Sequence, residues 1–124
     1  MALLSRRDAH HAWAVLQGNE CAPPWHTCES VLSEAFHLLG PRGGPVLREL
    51  LRRDVLRVGF DAASDLEPVL RLMDKHRDVP ASLADAILVR MTEVLPDPVL
   101  LTTDRDFRVY RRHGRQAVPV VIPA

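Results

Sequence analysis

A chain of 124 residues has room for one domain around a single hydrophobic core. Its apolar share of 47% and charged share of 26% are those of an ordinary globular protein. A formal net charge of zero excludes attraction of nucleic acid by an overall field, so any such binding must come from a local patch. The basic residues are 15 Arg and one Lys, which favours bidentate phosphate contacts wherever the arginines cluster.

The start, Met1-Ala2-Leu3-Leu4-Ser5-Arg6-Arg7, has no apolar stretch after its charges, which argues against a secretory signal. Asp8-Ala9-His10-His11 after the paired arginines argues against twin-arginine export. No uncharged apolar run approaches the roughly 18–20 residues that span a bilayer. Cys21 and Cys28 are too few for a disulfide scaffold, and with His26 they lack a fourth zinc ligand at usual spacing. The expected location is the cytoplasm, with reduced thiols and no membrane partner.

Asp8 to Gln17 reads as a helix, followed by a turn at Gly18-Asn19. Pro23-Pro24 leads into the extended Trp25-His26-Thr27. Thr27 is placed to cap a helix carrying Val31, Leu32, Ala35, Phe36, Leu38 and Leu39 at a 3.6-residue period, and Gly40-Pro41 stops it. A second helix spans about Pro45 to Arg53, then Val55 to Phe60 reads as a strand. Ser64-Asp65-Leu66-Glu67 has capping-box spacing for a helix ending near His76, and Pro80 breaks the chain. Ser82 opens a helix to about Val94, Val99 to Thr102 is a strand, and a short helix runs from about Arg105 to Arg112. Val118 to Ile122 is the last strand, with Pro119 marking a sheet edge. Strands alternating with helices make this an α/β domain with a mainly parallel sheet.

Three acids stand out. Glu34 lies at the margin of its helix's apolar stripe, where it either reaches solvent, pairs with an arginine, or meets a cation. Asp85 interrupts Leu83-Ala84-Asp85-Ala86-Ile87-Leu88-Val89, and Ser82 gives it an alternative role as half of a capping box. Asp104 directly follows a strand, where ligands gather in open parallel sheets, although it also suits a helix cap. Asp106 is a further ligand, a supporting acid, or a first-turn acid. Carboxylates brought together repel unless a divalent cation neutralises them, and Mg²⁺ or Mn²⁺ prefers such oxygen-only sites. On a helix, Arg105, Arg108 and Arg112 share one face, which would either hold an RNA backbone or simply meet solvent. There is no P-loop, dinucleotide glycine fingerprint or nucleophile-elbow serine, and His10-His11 reads as helix surface.

The order of Val31-Leu32-Ser33-Glu34-Ala35, Ser82-Leu83-Ala84-Asp85-Ala86 and Thr102-Thr103-Asp104-Arg105-Asp106-Phe107 resembles PIN-domain ribonucleases, above all the VapC type of toxin–antitoxin toxins. The likeness covers most of the chain and includes Lys75-His76-Arg77-Asp78. It implies a PIN-like three-layer α/β/α fold on a five-stranded parallel sheet of order 3-2-1-4-5. It also implies a Mg²⁺- or Mn²⁺-dependent endoribonuclease in which metal-activated water attacks a phosphodiester, leaving a 3′-hydroxyl and a 5′-phosphate. Glu34, Asp85 and Asp104 match the family's second, third and fourth acids, Asp106 a variable accessory acid, and Thr102 a hydroxyl near the last ligand. Implied partners are RNA, an antitoxin and a second copy of the chain.

One departure stands beside the match. The family opens with a central strand ending in aspartate, whereas Met1-Ala2-Leu3-Leu4 looks like the end of the helix that follows it. The expectation is therefore a domain over residues 1–124 lacking its first central strand. Either the start codon is assigned too late, or the chain is a degenerate relic that binds without cleaving.

Overall fold

The structure, a computed structural model, describes residues 2–4, 22–76, 78–102 and 104–122. The strands are β1 (Ala2–Leu4), β2 (Trp25–Thr27), β3 (Leu56–Val58) and β4 (Val99–Leu101), then β5 (Arg111–Arg112), β6 (Gln116–Ala117) and β7 (Val120–Val121). Five of them form a parallel sheet in the order β3-β2-β1-β4-β7, while β5 and β6 make a separate antiparallel hairpin. Counted along the chain within the larger sheet, the order is 3-2-1-4-5.

Ala2–Leu4 is thus the central strand rather than the end of a helix, pairing with β2 on one side and β4 on the other. This corrects the expectation that the first central strand lies outside the chain. The physical reason is that β2 and β4 each present unpaired backbone groups inward, and an extended apolar tripeptide satisfies both ladders. The helix read over Asp8 to Gln17 and the turn at Gly18-Asn19 lie outside the described residues, as do His10-His11 and Cys21.

Both faces of the sheet are covered. Registered partners in parallel strands share a face, so Trp25, Leu56 and Val99 lie on one side, and Leu100, next in the chain, on the other. Trp25 and Leu56 belong to a cluster with Ala35 and Leu47 of α1 (Glu29–Arg52). Leu100 belongs to the larger cluster with Val69 and Leu72 of α2 (Leu66–Lys75) and Ile87, Leu88 and Met91 of α3 (Leu83–Val94). The layers are helix, sheet, helix. Among the described residues no helix is long and apolar enough to cross a membrane.

Several local outcomes differ from expectation. Cys28, not Thr27, precedes the first residue of α1, because Thr27 is used as the last residue of β2. The expected stop at Gly40-Pro41 is a kink within α1, where Gly40 adopts φ 62°. Glycine takes that conformation without a Cβ clash, and Pro41 suits the first position of the resumed helix. The capping box at Ser64 does not form. Asp61 accepts from the Ala63 amide at 3.1 Å and from the Ser64 hydroxyl, winding a 3₁₀ turn (Ala63–Asp65) ahead of α2. The capping box at Ser82 does form: the Asp85 amide donates to Ser82 Oγ at 3.1 Å, and the Ser82 amide donates to Asp85 Oδ2 at 3.3 Å. β7 pairs only with β4, as Pro119 predicted for an edge.

Candidate functional site

From β1 the chain builds outward through β2 and β3 on one side and through β4 and β7 on the other. Connections at such a reversal leave in opposite directions, opening a crevice beyond the carboxyl ends of the two inner strands. β4 delivers Thr102 and Asp104 to that end of the sheet. Thr102 is fully buried, and its Oγ1 accepts the Asp104 amide at 3.0 Å. Asp104 in turn accepts the Asp106 amide at 2.9 Å, capping a 3₁₀ turn (Arg105–Arg108). Asp104 is half-buried and Asp106 exposed.

Asp85 arrives from the first turn of α3, half-buried, with its carboxylate fixed by the capping box. Oδ2 of the same carboxylate lies 3.5 Å from the Tyr110 hydroxyl, which also lies 3.3 Å from the Pro80 carbonyl oxygen. Tyr110 is fully buried, edge-on to Phe107 at 5.3 Å and to His76 at 5.0 Å. Burial pushes its acidity constant well above the ordinary tyrosine value, and the negative charges of Asp85, Asp106 and Asp104 push it further. The hydroxyl is therefore a protonated donor, with Asp85 the one carboxylate within 3.5 Å of it among those described. Sequence reasoning missed this residue. Its available signal was that the chain's single tyrosine stands three positions after Phe107, a spacing that lets two aromatic rings share a core.

Glu34 stands apart. It is exposed on α1, whose buried positions in that stretch are Val31 and Ala35. Among the described residues no group of three or more His, Cys, Asp or Glu is gathered so as to hold a metal ion. Asp85 and Asp104 supply hard oxygen donors of the kind Mg²⁺ and Mn²⁺ take, and Glu34 is not brought to them as a third. His26 and Cys28 are both buried, and burial pushes the Cys28 thiol up, away from the thiolate that zinc requires.

The arginines do not form one helical face. Arg105 and Arg108 are exposed on the 3₁₀ turn, but Arg112 belongs to β5 and is half-buried. Two features end the helical path after Arg108. The Arg111 guanidinium donates to the carbonyls of Arg108, Val109 and Tyr110 at 2.8, 3.3 and 3.0 Å. His113 and Gly114, at φ 48° and 82°, then reverse the chain into β6. The hairpin is fastened to the helices: the His113 amide donates to Glu93 of α3 at 2.7 Å, and Lys75 of α2 donates to the Gly114 carbonyl.

A cavity of about 280 Å³ lies elsewhere, between the start of α1, the turn after β3 and the start of α3, lined by Cys28, Phe60, Ala62, Leu83 and Ile87 among others. It includes neither Asp85 nor Asp104. No family model matches this chain, and no curated protein or solved structure matches it.

Proposed function

We propose that the protein is a Mg²⁺- or Mn²⁺-dependent endoribonuclease of the PIN-domain, VapC-like type, with Asp85 and Asp104 at the heart of its site. The observation that carries this reading is the placement of Asp85 at the start of α3 and of Asp104 and Asp106 just beyond the carboxyl end of β4, beside the reversal of strand order. The 3-2-1-4-5 order supports the same reading. In it, Ser82 and the first turn of α3 orient Asp85, Thr102 orients Asp104, Asp106 assists, and Arg105 and Arg108 hold backbone phosphates. Glu34, exposed on α1 and apart from these two, would join the donor set when the ion binds. The ion, when bound, neutralises the gathered carboxylates and stabilises charge on a phosphoryl oxygen. The test is cleavage of a fluorogenic RNA with added Mg²⁺ or Mn²⁺. Asp85→Asn is expected to lower it roughly 100-fold or more, and chelation to abolish it. Unchanged cleavage by that variant overturns the assignment.

A second reading has its own support. Asp85 and Asp104 already serve as caps, and no three-acid group is assembled among the described residues. In this reading the protein is a non-catalytic module, alone or as a homodimer, that binds an antitoxin-like peptide or RNA. It is distinguished by RNA binding without metal-dependent cleavage.

A further inference from the structure

The arginines of this chain differ in what meets them. Arg53 pairs with Glu49, Arg57 with Asp54 and Arg90 with Asp65, so each of these charges is answered by a carboxylate. From Phe107 to Ala124 the sequence holds Arg108, Arg111, Arg112 and Arg115 with no Asp or Glu. Because the whole chain is formally neutral, the remainder is net negative, and positive charge is concentrated on the segment that forms β5 and β6. Arg111 is spent on backbone carbonyls. Among the described residues none of Arg108, Arg112 and Arg115 is ion-paired. Arg112 Nη2 lies 2.9 Å from His113 Nε2, and its Nε is buried without a hydrogen-bond partner. Its cation thus meets an imidazole nitrogen, which leaves the charge uncompensated.

The hairpin is held at three points before any ligand arrives. The Arg111 amide donates to His76 Nε2 at 3.1 Å, the His113 amide to Glu93 at 2.7 Å, and Lys75 to the Gly114 carbonyl. Glu93 is shared with Arg90 at 3.1 Å and is therefore already engaged. Arg112 and Gln116 are registered partners, so their side chains share one face of the ribbon, and Arg115 belongs to the loop joining the strands. Arg115 and Gln116 are exposed. Fixed cations beside an amide match a chain of repeating phosphates, which needs charge and donors rather than an apolar pocket. The cavity of about 280 Å³, a seat for a peptide side chain, is lined by none of these residues. We propose that the β5–β6 hairpin is an RNA-backbone surface, on which Arg112 and Arg115 contact phosphates beyond those held by Arg105 and Arg108. The proposal rests on RNA as the substrate class of the reading above, but it needs no metal ion and none of the aspartates.

The test is fluorescence anisotropy of a labelled single-stranded RNA of mixed sequence, in EDTA, across a salt series. Arg115→Ala removes an exposed side chain with no bonded partner, so the fold is not at stake, and Arg112→Gln is added to it in a double variant. Arg53→Ala deletes the same charge at the far end of α1 as a control. RNA affinity should fall severalfold in the variants, and the salt slope should become shallower by about 0.7 for Arg115→Ala and about 1.4 for the double variant. Arg53→Ala should change neither. Variants that bind with wild-type affinity and slope overturn the proposal, and the nuclease reading stands if wild type still cleaves RNA with Mg²⁺ or Mn²⁺. An equal loss in Arg53→Ala assigns the binding to overall charge and also overturns it. Hairpin-dependent binding without cleavage by wild type supports the surface and overturns the nuclease. Absence of both binding and cleavage overturns both. Hairpin-dependent affinity for poly-glutamate equal to that for RNA assigns the surface to acidic peptides and overturns the RNA assignment.

Discussion

Asp85 and Asp104 on one side, and Glu34 on the other, show two ways a chain can carry an acid. Each aspartate sits where backbone amides are unsatisfied, at the start of α3 and of the 3₁₀ turn, and accepts one of them. A short side chain beside free amides is placed by its own element. Glu34 sits within α1, where the helix consumes its own amides and the longer side chain has more torsions to fix. Nothing local aims it, so its direction depends on what another element or a ligand brings. Carboxylates at element starts are preorganised, and a mid-helix glutamate is left to be positioned from outside its own element.

The contrast is most easily broken through activity. Asp85→Asn and Asp104→Asn are each expected to cut metal-dependent RNA cleavage by roughly 100-fold or more, and Glu34→Gln by about tenfold or less. Equal losses from all three, read as kcat/KM on one RNA, would show Glu34 drawn fully into the site when substrate binds. Stability sharpens it next. Ser82→Ala removes the α3 cap and is expected to cost about 1 kcal/mol in urea denaturation. Ser33→Ala, exposed beside Glu34 on α1, should change stability by less than about 0.5 kcal/mol.

The arginines carry the comparison to binding. Arg105 and Arg108 are exposed, while the Arg111 guanidinium is spent on three carbonyls. Replacing Arg105 and Arg108 by Ala should weaken RNA binding severalfold and reduce the salt slope by about 0.7 for each phosphate no longer neutralised. Arg111→Ala should leave that slope unchanged and lower stability. The smallest expected effect belongs to His26, a polar ring in β2 with neither the cap nor the recruit arrangement. It is buried, its Nε2 has no hydrogen-bond partner, and burial followed by the nearby Arg57 charge lowers its pKa below the ordinary 6.5. A lowered folded value means the unfolded chain takes up the proton first as pH falls. Stability is then complete above about pH 6.5 and declines below it, toward the folded value. An imidazole NMR titration should place the His26 midpoint below 6.5, and a midpoint at or above that value would contradict the burial argument.

What could be read from residues alone follows the same division. α3, its capping box and β4 were legible because each is specified by neighbours within a few positions: Ser82 to Asp85, and an apolar run closed by threonine. The β5–β6 hairpin was not legible. Arg105 to Arg112 has helical composition, but burial of Phe107 and Tyr110 and the reversal at His113-Gly114 override it. Ser64 misleads because Asp61, three residues earlier, takes its hydroxyl. Ala2–Leu4 misleads because three apolar residues carry no period, and only the strands on either side decide their conformation. The placement of Asp85 and Asp104 at element starts was legible from pattern, while the position of Tyr110 depends on contacts with Asp85 and His76, across separations of 25 and 34 positions in the chain.

The margins of the parallel sheet have a consequence for behaviour at high concentration. At one margin, β3 presents Arg57, ion-paired with Asp54, to solvent. At the other, β7 is two residues long and follows Pro119, which has no amide to offer; its carbonyl already accepts the Leu100 amide at 2.7 Å. A strand from another molecule would therefore meet a charge at one border and a scarcity of donors at the other. The sheet is self-terminating, and crowded copies of the chain are poorly equipped to stack strand on strand.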